Sequence, residues 1–313
     1  MLDFLSYSQN AAKSVFTFLS DRSLMTMRET SKVIRETVDS CMLNTRDTKV
    51  KELNIGKVTL KKFGSLRSMN NEINFRFSFE DQRNFGLWKL YCRHLRNKLG
   101  ICQFSEDAEL DDRFMTLNYY TDSAKAEIFI NCLKSVFKRT ELSGVSIMTI
   151  QSNVTQACTN TFAGKTIPRI EFKYHNEDDL TNLLKCVKTP FISCHCHTLT
   201  KNICKFLLQM AKTVDVIEIC PRKDNAEIKM YSFAQELLRL KCTKLWFNGK
   251  TKPFTIEELE KLMQFFHGLN KRVSFSATTT ATVVNFHSGS YRVQIDRFSA
   301  NAHWLSIDHF EDI

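Results

Sequence analysis

The hydrophobic residues in the first 44 positions recur at intervals of three and four. This spacing places them on one side of a helix and predicts amphipathic helices. The apolar positions are Val15, Phe16, Phe18, Leu19, Leu24, Met27, Val33, Ile34 and Val38. Ser20 and Asp21 interrupt the pattern and offer a helix N-cap. Residues 1–44 are therefore predicted to form three short helices, which are too few to bury a core alone.

After Asn44 the pattern changes to short segments in which apolar and polar residues alternate. Seven segments share the spacing apolar-x-x-apolar-x-apolar, and the alternation at the last two positions places both side chains on one face of a β-strand. These segments are Val50, Leu53 and Ile55; Phe114, Leu117 and Tyr119; Val145, Met148 and Ile150; Ile167, Ile170 and Phe172; Phe191, Cys194 and Cys196; Val214, Ile217 and Ile219; and Cys242, Leu245 and Phe247.

Segments with helical spacing lie between the later predicted strands. The first positions of the last five strand segments are 22, 24, 23 and 28 residues apart. One strand and one helix in every ~20–29 residues is the period of leucine-rich-repeat-like solenoids. The predicted helices cover Asp178–Lys188, Thr200–Lys212, Tyr231–Lys241 and Thr255–Leu269. Residues 45–313 are therefore predicted to form an α/β arc of strand–helix repeats, with an ordinary compact α/β domain as the alternative.

Both ends of the predicted arc depart from this regular pattern. A long basic helix is predicted over Glu80–Leu99. Four short strands are predicted over Arg272–Ser276, Thr282–His287, Tyr291–Arg297 and Trp304–His309, with a hairpin turn at residues 287–290. A small terminal sheet of this kind covers the open end of a stack, as repeat arrays require. Thr255 and Glu258 match a capping box at the start of the last predicted helix.

Composition and charge narrow the class of protein. The 313 residues are 43% hydrophobic and 25% charged, as in ordinary globular proteins. The chain shows neither a secretory signal pattern nor a run of about 18 apolar residues, so we expect a cytoplasmic or nuclear protein with reduced thiols and no membrane span. The net charge of +10 lies entirely in residues 45–313 and is compatible with an acidic protein partner or a nucleic acid, without establishing either.

Two short motifs bear on chemistry. Residues 163–166 (Ala-Gly-Lys-Thr) end like a phosphate-binding loop, but the upstream glycine is missing and Pro168 follows, so nucleotide binding is not predicted. In the run Cys194–His197, alternation places the thiols and the imidazoles on opposite faces of a strand, where one tetrahedral metal ion cannot collect all four. Core packing of the two cysteines is favoured over a metal site. No catalytic motif is recognised, so we expect no enzyme and no cofactor.

Residues 15–32 read VFTFLSDRSLMTMRETSK. This segment resembles the F-box in the order of its residues. An apolar pair is followed by a leucine, a polar break, a second leucine and a Thr-Ser-Lys triplet before Val38. The resemblance is to nematode-type F-box proteins, in which a short F-box (residues 1–44 here) precedes a divergent F-box-associated domain (residues 45–313). The later chain is similar to those domains in its layout of strand–helix units, with Leu245-Trp246 followed by Phe254–Leu259. One departure is Tyr7-Ser8, where the family has Leu-Pro.

The resemblance implies a substrate-recognition subunit of an SCF-type cullin ubiquitin ligase. Its F-box is expected to dock a Skp-type adaptor that links to the cullin complex, and its C-terminal domain to hold an unidentified protein target, with a bias towards acidic surfaces. The implied adaptor-binding residues are Tyr7, Val15, Phe16, Leu19, Leu24, Met27 and Val38. Helix-in-groove docking is the expected mode, because three isolated helices carry more apolar residues than they can bury.

Two alternatives to the ligase role are compatible with the sequence. The first is a basic repeat-type nucleic-acid-binding protein without a ligase link, whose N-terminal helices cap the stack. Its basic stretches would be Lys57–Lys62, Arg93–Lys98, Lys134–Arg139 and Lys244–Lys252. Solvated helix faces are the favoured explanation of such stretches. Trp246 is predicted to face outward beside a buried Phe247. The second alternative is an enzyme of an unrecognised class.

Overall fold

The computed structural model describes fourteen segments of the chain, and they fall in two compact units. The described segments are residues 15–16, 18–30, 34–35, 37–38, 47–57, 72–99, 104–105, 115–223, 225, 227–248, 253–269, 271–279, 291–297 and 303–309. The first unit comprises Met1–Ile167 with Thr181–Val187, and the second comprises Pro168–Leu180 with Lys188–Ile313. The boundary that the sequence suggests between residues 44 and 45 stays a prediction.

The first unit mixes helices with a largely antiparallel sheet. Its described elements are α1 (Asp21–Arg28), β1 (Thr48–Val50), β2 (Glu52–Lys57), β3 (Glu72–Phe79), α2 (Gln82–Leu99), β4 (Phe104–Ser105), β5 (Met115–Asp122), α3 (Ser123–Phe137), β6 (Thr140–Leu142), β7 (Gly144–Ile147) and α4 (Ser152–Phe162). The strands pair in the order β7-β2-β3-β5-β4, in which only the β2–β7 pair is parallel. A separate parallel pair joins β1 to β6.

Aromatic side chains fill the core of the first unit around Trp88, which is fully buried on α2. Its ring centroid lies 4.9 Å from that of Phe77 and 5.5 Å from that of Phe137. The buried indole N–H of Trp88 donates a hydrogen bond of 3.3 Å to the hydroxyl of Thr48. The Thr48 hydroxyl also lies 3.0 Å from that of Thr140, so the polar edge of this large ring is satisfied inside the core.

The second unit alternates strands with helices and contains a mostly parallel sheet. Helix α5 (Glu177–Cys186) begins in the second unit and ends in the first. The other described helices of the second unit are α6 (Lys201–Met210), α7 (Met230–Arg239) and α8 (Ile256–Gly268). Its strands are β8 (Arg169–Lys173), β9 (Phe191–Thr198), β10 (Val216–Lys223), β11 (Lys244–Phe247), β12 (Ser274–Thr279), β13 (Tyr291–Arg297) and β14 (His303–His309). Strands β8 to β12 pair in chain order and in parallel, and β14 and β13 follow in antiparallel order.

One face of the parallel sheet packs against helices. The ring of Phe172 on β8 lies 5.9 Å from that of Phe206 on α6, and the ring of Phe275 on β12 lies 6.2 Å from that of Phe266 on α8. Because successive side chains of a strand point to opposite faces, the residues between these buried positions lie on the other face. That second face carries the polar residues described below.

The structure confirms the α/β class and most of the predicted elements. The last two apolar positions are buried in six of the seven predicted strand segments. The capping box at Thr255 and Glu258 is present, and β13 covers the predicted residues. The prediction for the Val145 segment is wrong in its last two residues, because β7 ends at Ile147 and Ile150 is 58% exposed in the connection that leads to α4. The predicted strand at residues 282–287 and the turn after it lie outside the described residues.

Candidate functional site

The predicted adaptor-binding segment contains a well-capped helix. The Ser20 hydroxyl accepts a hydrogen bond of 3.1 Å from the backbone N–H of Ser23, and the Ser20 carbonyl accepts one of 3.0 Å from Leu24. Ser20 is thus the N-cap of α1, as the sequence predicts. The cap fixes where the helix begins, and so fixes which side of α1 Leu24 and Met27 occupy.

The predicted adaptor-binding residues divide by exposure. Phe16, Leu24 and Val38 are buried within the chain, Leu19 and Met27 are half-buried, and Val15 is 45% exposed. Tyr7 lies outside the described residues. The side chains that are fully buried here serve the fold of the segment, whereas Val15 presents apolar surface to solvent.

Sequence reasoning missed Phe18 as a site residue. Its side chain is 90% exposed, more than any other large apolar side chain in the described part of the chain. The signal was present in the run Val15–Leu19, where four of five residues are apolar. One face of a helix cannot bury four of five consecutive side chains, so at least one of them had to face solvent.

A second candidate surface is the polar face of the parallel sheet, which we call the open face. Its members alternate along β8 to β11 with the buried positions, and most of them are half-buried. They are Arg169, Glu171, Lys173, Phe191, Ser193, His195, His197, Val216, Glu218, Cys220, Arg222, Lys244 and Trp246. Asn248, directly after β11, joins them through a hydrogen bond to Glu218.

Strand register arranges the open face in rows. The first row runs across Arg169, Phe191, Val216 and Lys244. The second row, two residues further along each strand, runs across Glu171, Ser193, Glu218 and Trp246. Paired strands are ~4.8 Å apart, so members of one row touch their neighbours even though they are far apart in the sequence.

The Arg169 guanidinium is the centre of the open face. One of its terminal nitrogens donates to a carboxylate oxygen of Glu171 and, at 3.2 Å, to one of Glu218. The second carboxylate oxygen of Glu218 accepts a hydrogen bond of 2.9 Å from the side-chain amide of Asn248. Both carboxylates are therefore satisfied, which buried Glu218 needs because an unpaired charge is costly away from water.

Two aromatic rings lie beside this charge network. The Arg169 guanidinium stacks over the ring of Phe191, 4.6 Å from its centroid, which is a cation–π geometry. The ring of Phe191 in turn meets that of Trp246 edge to face, with centroids 5.4 Å apart. Trp246 is half-buried and Phe247 is fully buried, as the alternation predicts. The pair forms a small apolar area next to fixed charges.

The remaining charged side chains of the open face are cations. Lys173, Arg222 and Lys244 form no ion pair with any residue that the structure describes. The carboxylates of Glu171 and Glu218 are already engaged by Arg169. The charge that the open face offers to a partner is therefore positive.

The histidine and thiols of the Cys194–His197 run do not assemble a catalytic group. Burial lowers the pKa of His195 and is the largest effect on it. The charges of Glu171 and Glu218 oppose this lowering, and the charges of Arg169 and Arg222, which have smaller effects, add to it. Its Nε2 lies 3.4 Å from the Ser193 hydroxyl, yet within the described residues no carboxylate orients the imidazole as in a nucleophile–base pair.

The thiols of this region are buried or half-buried. Cys194 and Cys196 are buried, as predicted. Burial raises the pKa of Cys220 to about 12, so this thiol stays protonated and is a weak nucleophile. In the described ranges no three His, Cys, Asp or Glu residues converge on a point that could hold a metal ion.

The Gly-Lys-Thr stretch lies at a cleft of about 880 Å³ in the first unit, whose lining includes Lys49, Asn84 and Lys165. The Lys165 ammonium donates hydrogen bonds to the carbonyls of Lys138 and Thr140, at 3.2 and 3.0 Å. Burial lowers the pKa of this lysine. The lysine therefore links the end of α3 to β6 through hydrogen bonds to the backbone. In a phosphate-binding loop the lysine contacts the phosphate instead.

Comparison with known proteins gives no family assignment. No model of a protein family matches the chain, and no curated protein matches it. Among the described residues, no helix is both long enough and apolar enough to cross a lipid bilayer.

Proposed function

We propose that this chain is a substrate-recognition subunit of an SCF-type cullin ubiquitin ligase. The N-terminal F-box-like segment docks a Skp-type adaptor, and the later chain holds a protein target. The protein acts by tethering, because it raises the effective concentration of the target beside the ligase. No bond is made or broken by its own side chains.

The observation that carries this proposal is the exposure of Phe18. A phenylalanine that is 90% exposed, with Val15 nearby at 45%, leaves apolar area in water that a partner protein would cover. The buried Phe16 and Leu24 support the same proposal, because they hold the segment in shape while its neighbours stay available. Preorganised apolar side chains of this kind are typical anchors of helix-in-groove docking.

The open face supports the second half of the proposal. A receptor needs a surface for its target that is separate from its adaptor site. The Arg169 network and the Phe191–Trp246 pair give such a surface, with defined geometry and without catalytic groups. The carboxylates of Glu171 and Glu218 at its centre disfavour a continuous nucleic-acid backbone, which needs phosphate contacts throughout.

The proposal is tested by binding of the full-length chain to a purified Skp-type adaptor. We expect micromolar or tighter binding, and we expect Phe18→Glu to weaken it by roughly thirtyfold, the equivalent of about 2 kcal/mol for an interface hot spot. Because Phe18 is exposed, this change leaves the fold intact, which circular dichroism checks.

The matched control is Ile128→Glu, which places the same charge on an apolar side chain of α3 that is 51% exposed. This variant should bind the adaptor as the wild type does. Failure of the wild-type chain to bind, or equal loss in both variants, would remove the ligase proposal.

A further inference from the structure

We propose that the open face of β8 to β11 binds an acidic segment of a target protein that carries an aromatic or large aliphatic side chain. Acidic groups of this segment contact Lys173, Lys244 and Arg222, and its apolar side chain packs on Phe191 and Trp246. This inference rests on the proposed function, and it adds the location of the target surface and the chemistry of the target.

The charges at the centre of the open face are already paired with one another. Arg169 donates hydrogen bonds to the carboxylates of Glu171 and Glu218, and the side-chain amide of Asn248 donates one to the other oxygen of Glu218. Three cations of the open face have no anionic partner among the described residues. They are Lys173 on β8, Arg222 on β10 and Lys244 on β11. The cations Lys244, Lys173 and Arg222 therefore surround a centre whose charges are already paired. This distribution attracts a negatively charged segment.

The Phe191–Trp246 pair supplies the apolar part of the open face. Both side chains are half-buried and meet edge to face, so their positions are fixed before a ligand arrives. Tryptophan is enriched among the residues that dominate interface binding energies. A rigid ring pair beside cations fits a segment that joins acidic residues to an apolar anchor.

The network also sets the specificity of the face. A basic segment would meet Lys173, Lys244 and Arg222 as like charges and would find Glu171 and Glu218 already occupied by Arg169. Like-charge contacts of this kind exclude wrong partners. A nucleic acid would satisfy the cations but would bring phosphates close to the buried carboxylate of Glu218.

The experiment measures fluorescence anisotropy of the full-length chain with a short labelled peptide in which glutamates flank a central phenylalanine. A peptide with lysines in place of the glutamates and one with alanine in place of the phenylalanine serve as comparisons. We expect the acidic aromatic peptide to bind and both others to bind at least about tenfold more weakly.

Variants of the chain locate the site. The double variant Lys173→Glu and Lys244→Glu reverses two charges and should weaken binding of the acidic peptide by about tenfold or more. Trp246→Ala should weaken this binding to the same extent. The matched control reverses Lys205 and Lys212 to glutamate, both exposed on or just after α6 at the helix-covered side of the sheet. An equal loss of peptide binding in the control pair would overturn the inference, because the binding would then reflect overall charge alone. An unchanged affinity in Trp246→Ala would overturn it as well.

The outcomes separate this inference from the proposed function. Adaptor binding with no binding of the acidic peptide would overturn the inference and leave the ligase proposal standing. Peptide binding by the open face without adaptor binding would uphold the inference about the surface and remove the ligase role. Tighter binding of a single-stranded RNA oligonucleotide, lost in the Lys173 and Lys244 reversals, would overturn the inference in favour of a nucleic acid.

Discussion

The two faces of strands β8 to β11 are built from alternate residues of the same strands, yet they differ in what their side chains contribute. The helix-covered face holds Ile170, Phe172, Cys194 and Leu245, all fully buried. The open face holds the Arg169 network, half-exposed rings and cations that form no ion pair with a described residue. Buried apolar side chains stabilise through area removed from water, whereas half-exposed polar groups contribute little to stability and much to selectivity.

The largest expected effect comes from the helix-covered face. Phe172→Ala removes a fully buried ring that packs against Phe206, and we expect it to lower the free energy of unfolding by about 3–5 kcal/mol. Chemical denaturation measures this loss. The comparison variant is Phe18→Ala, whose exposed ring should change stability by no more than about 0.5 kcal/mol. Similar losses in both variants would contradict the assigned burial.

An intermediate effect is expected at the centre of the open face. Glu218→Ala removes the carboxylate that Arg169 and Asn248 share, and we expect a loss of about 1–3 kcal/mol in the free energy of unfolding, because the remaining polar groups lose a partner in a half-buried place. Glu218→Gln keeps one acceptor oxygen and should lose less. A Gln variant as unstable as the Ala variant would show that the hydrogen bonds do not matter.

A smaller effect concerns pH. Because burial holds the pKa of His195 below its ordinary value, the unfolded chain takes up a proton on this residue more readily than the folded chain. The contribution of His195 to stability is therefore complete above its ordinary pKa of about 6.5 and is lost as the pH falls below that value.

His195→Gln removes this proton uptake, so the difference between the unfolding free energies at about pH 7.5 and about pH 5 should shrink. Denaturant titrations at both pH values measure it. His197 on the same strand gives the control, because its side chain is exposed and His197→Gln should leave the difference as it is in the wild type. An unchanged difference in His195→Gln would contradict the effect of burial.

The smallest effect on stability is expected at the edge of the open face. Lys244→Glu changes an exposed side chain that has no ion pair with a described residue, so the free energy of unfolding should change by at most about 0.5 kcal/mol. Binding of the acidic peptide should nevertheless weaken by a factor of about three. A large loss of stability would place Lys244 in the fold and not in the binding surface.

The sequence predicted the helix-covered face well, because alternation and helical spacing are local properties. Cys194, Cys196 and Phe247 were predicted to be buried, and they are. It did not predict the Arg169–Glu218 pair, which joins residues 49 positions apart. That contact depends on strand register, which cannot be derived from the spacing of apolar residues in one strand.

The N-terminal segment shows the same limit. The N-cap at Ser20 was predictable because capping depends on a few adjacent residues. Which apolar side chains stay exposed depends on what the segment packs against, and Phe18 was therefore missed as a site residue. The F-box assignment and its ligase role stay predictions that the binding measurement decides.

The chain-order pairing of β8 to β12 has a consequence for how the second unit folds. Each strand finds its partner one strand–helix unit away along the chain, so every new pairing closes only a short loop. Loop-closure entropy grows with loop length, and topologies with short sequence separations fold faster. We therefore expect these strands to add one after another onto those already formed, and the order of the sequence to become the order of folding.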